Sequence, residues 1–264
     1  MLTSNNVTFA VAVNQQQVFE ANFLASPCFR QPHSYQILDQ RNFTSAASAY
    51  NKALENSRND IVIFAHQDMY FPQSWLLDLE QALSYLQVHD PHWGVLGCYG
   101  VTADGQPRGH LYSSGLGVLD EPMDHPVPVR TLDEIVLVVR KSSGLTFDEA
   151  LPGFHLYGSD LCLRAAEQGM NSYVVPAFCM HNTQMNLVLP ADFYACYGHF
   201  KRTWRHRLPI HTSCITVSRV NLKCLLRRAR EAYITQIRRR KPQVTRLPNP
   251  ESVLEALPHR SCRV

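Results

Sequence analysis

The chain has 264 residues, 45% of them hydrophobic and 18% charged, which supplies a sizeable core and excludes a disordered chain. The formal net charge of +3 hides a division: residues 1–198 carry 9 basic and 19 acidic side chains, residues 199–264 carry 16 and 3. The longest apolar runs, such as Phe9–Val13 and Ile61–Ala65, are too short to cross a membrane.

In chain order, Val7–Asn14 is a short apolar run that reads as a first strand, and Gln15–Ala25 has helical spacing in Val18, Phe19, Asn22 and Phe23. Tyr35–Asp39 reads as a strand and Ser45–Asn56 as a helix with Ala46, Ala49, Ala53 and Leu54 on one side. Asp60–Ala65 is a continuous apolar strand that delivers the polar tripeptide His66-Gln67-Asp68. Pro72–Leu86 is an amphipathic helix, and Trp93–Val101 is a fourth strand. Such short buried strands between helices predict a mostly parallel sheet covered on both faces, an α/β fold. Sheets of this kind place ligands beyond the carboxyl ends of their strands, where Asn14, Asp39 and the His66–Asp68 tripeptide fall. Residues 102–134, rich in Gly, Pro and Asp, are expected to form a long irregular excursion. Glu134–Arg140 returns as a strand, Gly158–Gly169 forms a helix and Ser172–Val175 a strand. Beyond Pro190 the chain turns helical and then strongly basic.

Two segments carry chemistry. AYNKALENSRNDIVIFAHQDMYFPQSWL, residues 49–76, ends a strand on His66-Gln67-Asp68. FDEALPGFHLYGSDLCLRAAEQGMNSYVVPAFCMHN, residues 147–182, places an acid ahead of L-C-L-R-A, then a glycine, a strand and His181. Together with FKRTWRHRLPI, residues 200–210, they resemble the glycosyltransferase-like branch of family 2 glycosyltransferases of GT-A fold, over roughly residues 7–212. The tripeptide stands where that family has D-x-D, with His66 at the first position.

The resemblance implies a GT-A domain over 1–212 and a basic helical extension over 213–264. It further implies a hexosyltransferase-type enzyme that moves a sugar from a nucleotide-sugar donor to a glycan or lipid-linked hydroxyl, with net inversion. Asp68 matches the metal-binding carboxylate, and His181 and His66 join it as candidate ligands of Mn²⁺ or Mg²⁺, imidazole favouring the former. The alternative role for His66 is that of a hydrogen-bond donor to phosphate. Asn14, Asp39, Asn51, His66 and Gln67 are candidate nucleotide-sugar contacts. Asp160 is the candidate general base, with Asp148 and Glu149 as alternatives, because relatives carry two acids where this chain has Tyr157-Gly158-Ser159-Asp160. Arg164 reads as structural. A sheet that binds nucleotide or glycan without turnover is the first alternative; a basic-tailed membrane or nucleic-acid adaptor is the second.

Eight cysteines without a C-x-x-C pair, and an N-terminus without a basic leader, predict a cytoplasmic protein with reduced thiols. In Thr216–Lys241, Val217, Val220, Leu225, Ala229, Ala232 and Ile237 recur at helical intervals. A helix packed on the domain is the first expectation, and peripheral contact with an anionic membrane at its inner face the second. No nucleic-acid motif accompanies the charge. Leu247–Val264, with three prolines, is expected to be loose.

Overall fold

The computed structural model describes residues 6–30, 35–184, 188–238 and 244–257. Three parallel strands, β1 (Val7–Ala12), β2 (Gln36–Gln40) and β3 (Ile61–His66), form one side of a seven-stranded sheet, with β1 in the middle of the three. Next to β3 lies Val136–Arg140, antiparallel to it with Val136 opposite Ala65. Val95–Gly97, Ser172–Val174 and Val127–Val129 complete the sheet, the last antiparallel to its neighbour. The mostly parallel α/β fold expected from the sequence is the fold observed.

Alternation along these strands sorts the core into two layers. Val7, Phe9 and Val11 of β1, with Ile61, Ile63 and Ala65 of β3, face helix α1 (Gln16–Ala21) and helix α3 (Trp75–His89). Ala10, Val62, Phe64, Leu137 and Val139 face the opposite layer. That layer holds helix α2 (Ala46–Asn56), helix α4 (Tyr157–Glu167) and helix α5 (Ala191–Thr203). Ser45 caps α2 by accepting from Ser48 N, where the alternation of the strands gives way to the Ala-rich helical face.

Three expectations change. The excursion over 102–134 is interrupted by five short strands. Among them, Leu111–Ser113 pairs in parallel with Cys179–His181, which also pairs antiparallel with Met69–Tyr70. The strand expected over Trp93–Val101 is interrupted, with Val95–Gly97 in the main sheet and Gly100–Val101 in a separate one. The expected loose C-terminus contains helix α7 (Pro250–Ala256), which buries Leu254 against Tyr70 and Met180. Arg30 donates to both carboxylate oxygens of Glu251 on the same helix; residues 258–264 lie outside the described residues.

The expected division at 212/213 falls inside a hairpin, since Ile210–His211 pairs with Thr216–Val217. Val217 and Cys224 are part of the same core as Leu208 and Ile210. Helix α6 (Leu222–Arg238) follows, with its inner contacts made by Cys224, Arg227 and Glu231. Of the side chains expected to pack it, Val220, Leu225 and Ile237 are exposed. Residues 239–241 of the basic stretch lie outside the described residues. No helix among the described residues is long and apolar enough to cross a membrane.

Candidate functional site

Strand β3 is buried from Ile61 to Ala65, so the first polar side chains it can present are those at its carboxyl end. The chain turns at Gln67 and Asp68 and re-enters the sheet structure at Met69–Tyr70, where His181 lies opposite Met69. Asn182 N donates to Asp68 O (2.9 Å) and locks that register. His181 Nε2 therefore comes to 3.3 Å from Asp68 Oδ1, although 113 positions separate the two. The rings of His66 and His181 are 5.7 Å apart, and one ligand atom from each of His66, Asp68 and His181 falls within 4.8 Å of the others. The structure thus brings together the three candidate metal ligands. They lie on the wall of a cavity of about 610 Å³.

The electrostatics suit a cation. Burial alone would raise the Asp68 carboxyl, but the His181 imidazole and its hydrogen bond, with His66 and Arg246, hold it well below the usual carboxylate range. Burial lowers His66 more than Asp68 raises it, so this ring is neutral at pH 7, as a metal ligand must be. Burial opposes the charged form of His181 as well, but the Asp68 carboxylate outweighs it and raises His181. Tyr157 orients the His66 ring: with its hydroxyl donating to Glu134 O (3.1 Å), the tautomer that completes the pair has His66 Nε2, at 3.2 Å, as a donor to it. That tautomer leaves the lone pair on Nδ1 for a ligand. Two imidazoles and one carboxylate fit Mn²⁺ or another transition ion better than Mg²⁺.

Two acids that the sequence analysis did not single out line the same cavity, Asp133 and Glu134. They precede Val136–Arg140, and because that strand is antiparallel to β3 its beginning lies beside the end of β3. His66 N donates to Ile135 O (3.1 Å) across this junction. Burial, and then the neighbouring charge of Asp133, push Glu134 up to about 8. Its Oε1 accepts from Leu156 N, and Leu156 has φ of 64°, a strained value for a branched residue. The one available signal was two adjacent acids immediately ahead of a buried apolar run.

Asp160 is elsewhere. It is 1% exposed, Arg164 Nε donates to its Oδ2 (2.7 Å), and Trp204 Nε1 donates to its Oδ1 (2.7 Å). It is not on the cavity wall. Both oxygens are engaged, so the carboxylate expected as general base acts here as an internal anchor. Arg164 joins it to Asp148, whose Oδ2 also lies 3.0 Å from His199 Nε2. Nor is an acid possible at Gly158 without rearrangement: a Cβ there would stand 3.0 Å from Leu132 O.

Of the expected nucleotide contacts, Gln67 Oε1 accepts from Asn14 N (3.1 Å) and Gln15 N (3.0 Å), while its amide donates to Asn14 Oδ1. Asn14 and Gln67 therefore tie the ends of β1 and β3 to each other. Asp39, exposed at the end of β2, pairs with Arg41 (2.7 Å). Asn51 is engaged in both directions by the main chain of Phe147 (3.0 and 2.9 Å) and donates to Glu149 (3.2 Å), so it braces α2 against the segment before α4. It is not on the cavity wall. Arg246, also missed, reaches to 3.8 Å from Asp68 Oδ2, and its Nε is buried without a hydrogen-bond partner among the described residues.

Comparison with known proteins places the chain. A curated protein of Fuscovulum blasticum, "ATP synthase subunits region ORF 6", is 30% identical over 142 residues, 51% of this chain and 56% of that protein. The chain thus spans little more than half the length of that relative. Among solved structures, a mannosyltransferase from Pyrobaculum calidifontis in complex with GDP-Man and Mn²⁺ is 13% identical at a TM-score of 0.49, covering 77% of this chain and 65% of that one. S. aureus TarS in complex with UDP-GlcNAc is 13% identical at a TM-score of 0.47, with 73% and 64% covered. The family model described as "Glycosyltransferase like family" matches residues 8–188, more than half of the chain and all of the cavity's metal-ligand candidates. The chain belongs to the glycosyltransferase-like family.

Proposed function

We propose that this protein is a nucleotide-sugar-dependent glycosyltransferase that holds a divalent cation on Asp68, His181 and His66 and transfers a hexose with inversion to a hydroxyl of a glycan or lipid-linked acceptor. The observation that carries this reading is the convergence of those three side chains within 4.8 Å in a chain of this family. A divalent cation bound there would neutralise charge on the leaving diphosphate.

The chain's own residues supply the rest. Arg246, whose Nη2 lies 3.8 Å from Asp68 Oδ2, adds positive charge behind the proposed cation site, where it would favour the anionic donor. Glu134, raised to about 8 on the same wall, is the group suited to take the proton of an attacking hydroxyl. A base whose pKa lies near the working pH combines a useful ionised fraction with a strong pull on the proton. Tyr157 connects the two functions, touching His66 through its ring nitrogen and Glu134 through its carbonyl. A chain taking a lipid-linked acceptor would work at a membrane surface, and the 216–241 segment is the part that would meet it.

The test is a thermal-shift screen of UDP, GDP and CDP sugars with Mn²⁺ and with Mg²⁺, followed by donor hydrolysis. Metal-dependent stabilisation by one donor class and turnover by the wild type are expected. Asp68→Asn should lose both, with turnover down by on the order of 10²–10³-fold. Stabilisation without turnover would instead assign a binding role to the sheet, and no metal-dependent stabilisation by any donor would remove the transferase reading.

A further inference from the structure

Helix α6 is docked in an unusual sense. An amphipathic surface helix ordinarily turns its apolar stripe to the core and its charges to water. Here the contacts with the domain are largely hydrogen bonds made by two charged side chains. Glu231 Oε2 accepts from Tyr194 OH (3.0 Å) and Leu189 N (3.3 Å), while its Oε1 accepts from Arg227 Nε (2.8 Å). Arg227 also donates to Cys214 O, and only Cys224 is a buried apolar contribution from the helix.

The apolar stripe points away from the domain. Leu222, Leu226, Tyr233 and Ile237 recur at spacings of four, seven and four, on one side of a 3.6-residue helix, and Leu225 lies beside them. All five are exposed, between 58% and 65%. Val220, just before the helix, is 70% exposed and extends the same surface. Lys223 and Arg230 border the stripe on one side and Arg228, whose guanidinium also lies 5.1 Å from the Tyr194 ring of the domain, on the other, all three exposed.

We propose that this outward face of α6, an apolar stripe with basic margins on both sides, docks on an anionic lipid surface. A helix of this pattern lies in the plane of the interface, with its apolar side chains among the acyl boundary and its basic ones at the headgroups. Charge selects this occupant over a second copy of the chain. Two such faces brought together would oppose Lys223, Arg228 and Arg230 to like charges, whereas anionic headgroups complement all three. Arg227 and Cys214, on the inner side of the same helix contact, belong to the cavity wall. Docking therefore sets the cavity behind α6, one helix diameter (about 10 Å) from the lipid surface, and favours a lipid-linked acceptor, a consequence that rests on the transferase reading; the docking itself does not.

Sedimentation of the full chain with vesicles of phosphatidylcholine, alone or mixed with phosphatidylglycerol, tests this. Binding to the anionic vesicles should exceed that to the neutral ones by about tenfold at low salt and weaken as salt rises. Leu226→Glu combined with Tyr233→Glu should lower anionic-vesicle binding by about tenfold or more. Since both side chains are exposed, the circular dichroism spectrum and Tm should be unchanged. Lys223→Glu with Arg230→Glu should abolish the about tenfold preference for anionic lipid. Absence of wild-type binding to either vesicle, or equal binding by wild type and the Leu226/Tyr233 variant, would overturn the proposal. A wild-type dimer that Leu226→Glu converts to monomer, without vesicle binding, would overturn it in favour of self-association. Metal-dependent donor hydrolysis without vesicles should be the same in all these proteins, so failure of docking and failure of the transferase reading are read separately.

Discussion

The start of α4 separates two buried acids that differ in what surrounds them. Asp160, in the first turn of that helix, is held by a guanidinium and an indole N–H, and Arg164 passes the charge on to Asp148. Glu134, whose Oε1 meets the amide of Leu156 just before the helix, has no cationic partner among the described residues and has the like charge of Asp133 beside it. Burial raises both carboxyls. At Asp160 the ion pair and hydrogen bonds oppose that rise; at Glu134 the Asp133 charge adds to it. The contrast separates a carboxylate matched by a cation and an indole from one that is not, and the second is the acid proposed here for proton transfer.

The largest expected effect is at Glu134. Glu134→Gln removes the base while preserving the acceptor for Leu156 N, and should lower kcat by on the order of 10²–10⁴-fold. In the wild type, kcat/KM should rise with pH and level off near pH 8, where Glu134 titrates. Stability should move the other way. The folded pKa lies above the unfolded value of about 4.5, so the folded state holds an extra proton between these values and loses stability as pH rises through the window. Denaturant titrations from pH 5 to about pH 8 should show that slope in the wild type and a flatter one in Glu134→Gln. Equal turnover in the two proteins would move the base elsewhere.

Asp160→Asn should give the complementary result. It leaves Arg164 with Asp148 as its one carboxylate and turns an NH₂ donor toward either Arg164 Nε or Trp204 Nε1, so the expected loss is about 3 kcal/mol in urea unfolding. The figure is at the low end for a buried pair, since the Arg164 side chain is 33% exposed and keeps a second carboxylate. The folded fraction should turn over at the wild-type rate. A kcat loss at unchanged stability would return the catalytic role to Asp160 and invert the comparison.

Much of the metal end of the cavity was legible in the sequence, because local spacing determines it. An apolar run long enough for one strand must end near His66, and the polar tripeptide falls where an α/β sheet presents ligands. His181 was legible by its place after a second motif. Glu134 was not, because its proximity to Asp68 depends on Val136–Arg140 running antiparallel to β3, and the sequence does not state strand direction. The enclosure of Asp160 was not legible because its partner Trp204 lies 44 residues further on, and a helix-start acid looks alike whether or not an indole closes over it. In α6 the periodicity was visible and its sense was not: a stripe of leucines shows which residues share a face, while the Glu231 contacts decide which face is inward.

A smaller effect is expected at Tyr157, which links the two functions of the cavity. Tyr157→Phe keeps the buried ring but removes the hydroxyl that orients His66 and meets Glu134 O. Loss of a partner that orients a ligand typically lowers metal affinity by about 10–100-fold, to be read by titrating Mn²⁺ and following the free ion by electron paramagnetic resonance. An unchanged affinity would show that His66 holds its orientation without the hydroxyl and would weaken its assignment as a ligand.

The smallest expected effect concerns how the C-terminal segment meets the cavity. Arg246 stands 3.8 Å from Asp68 Oδ2, and its position is fixed by its neighbour: Leu247 N donates to Asn182 Oδ1 (2.7 Å) and Asn182 Nδ2 donates to Leu247 O (3.0 Å). Arg246→Gln leaves that clasp in place and removes the charge together with the bond from Arg246 Nη1 to Gln184 Oε1 (3.0 Å). If Arg246 receives the donor's anionic oxygen, KM for the donor should rise by about tenfold with kcat little changed, the loss of a charge-assisted hydrogen bond made equally before and during reaction. A fall in kcat at constant KM would instead mean that Arg246 works through Asp68, tuning the carboxylate rather than touching the donor. Either outcome uses the same contrast as the acids: a charge already matched by the protein holds structure, and one left short of partners is where a ligand is received.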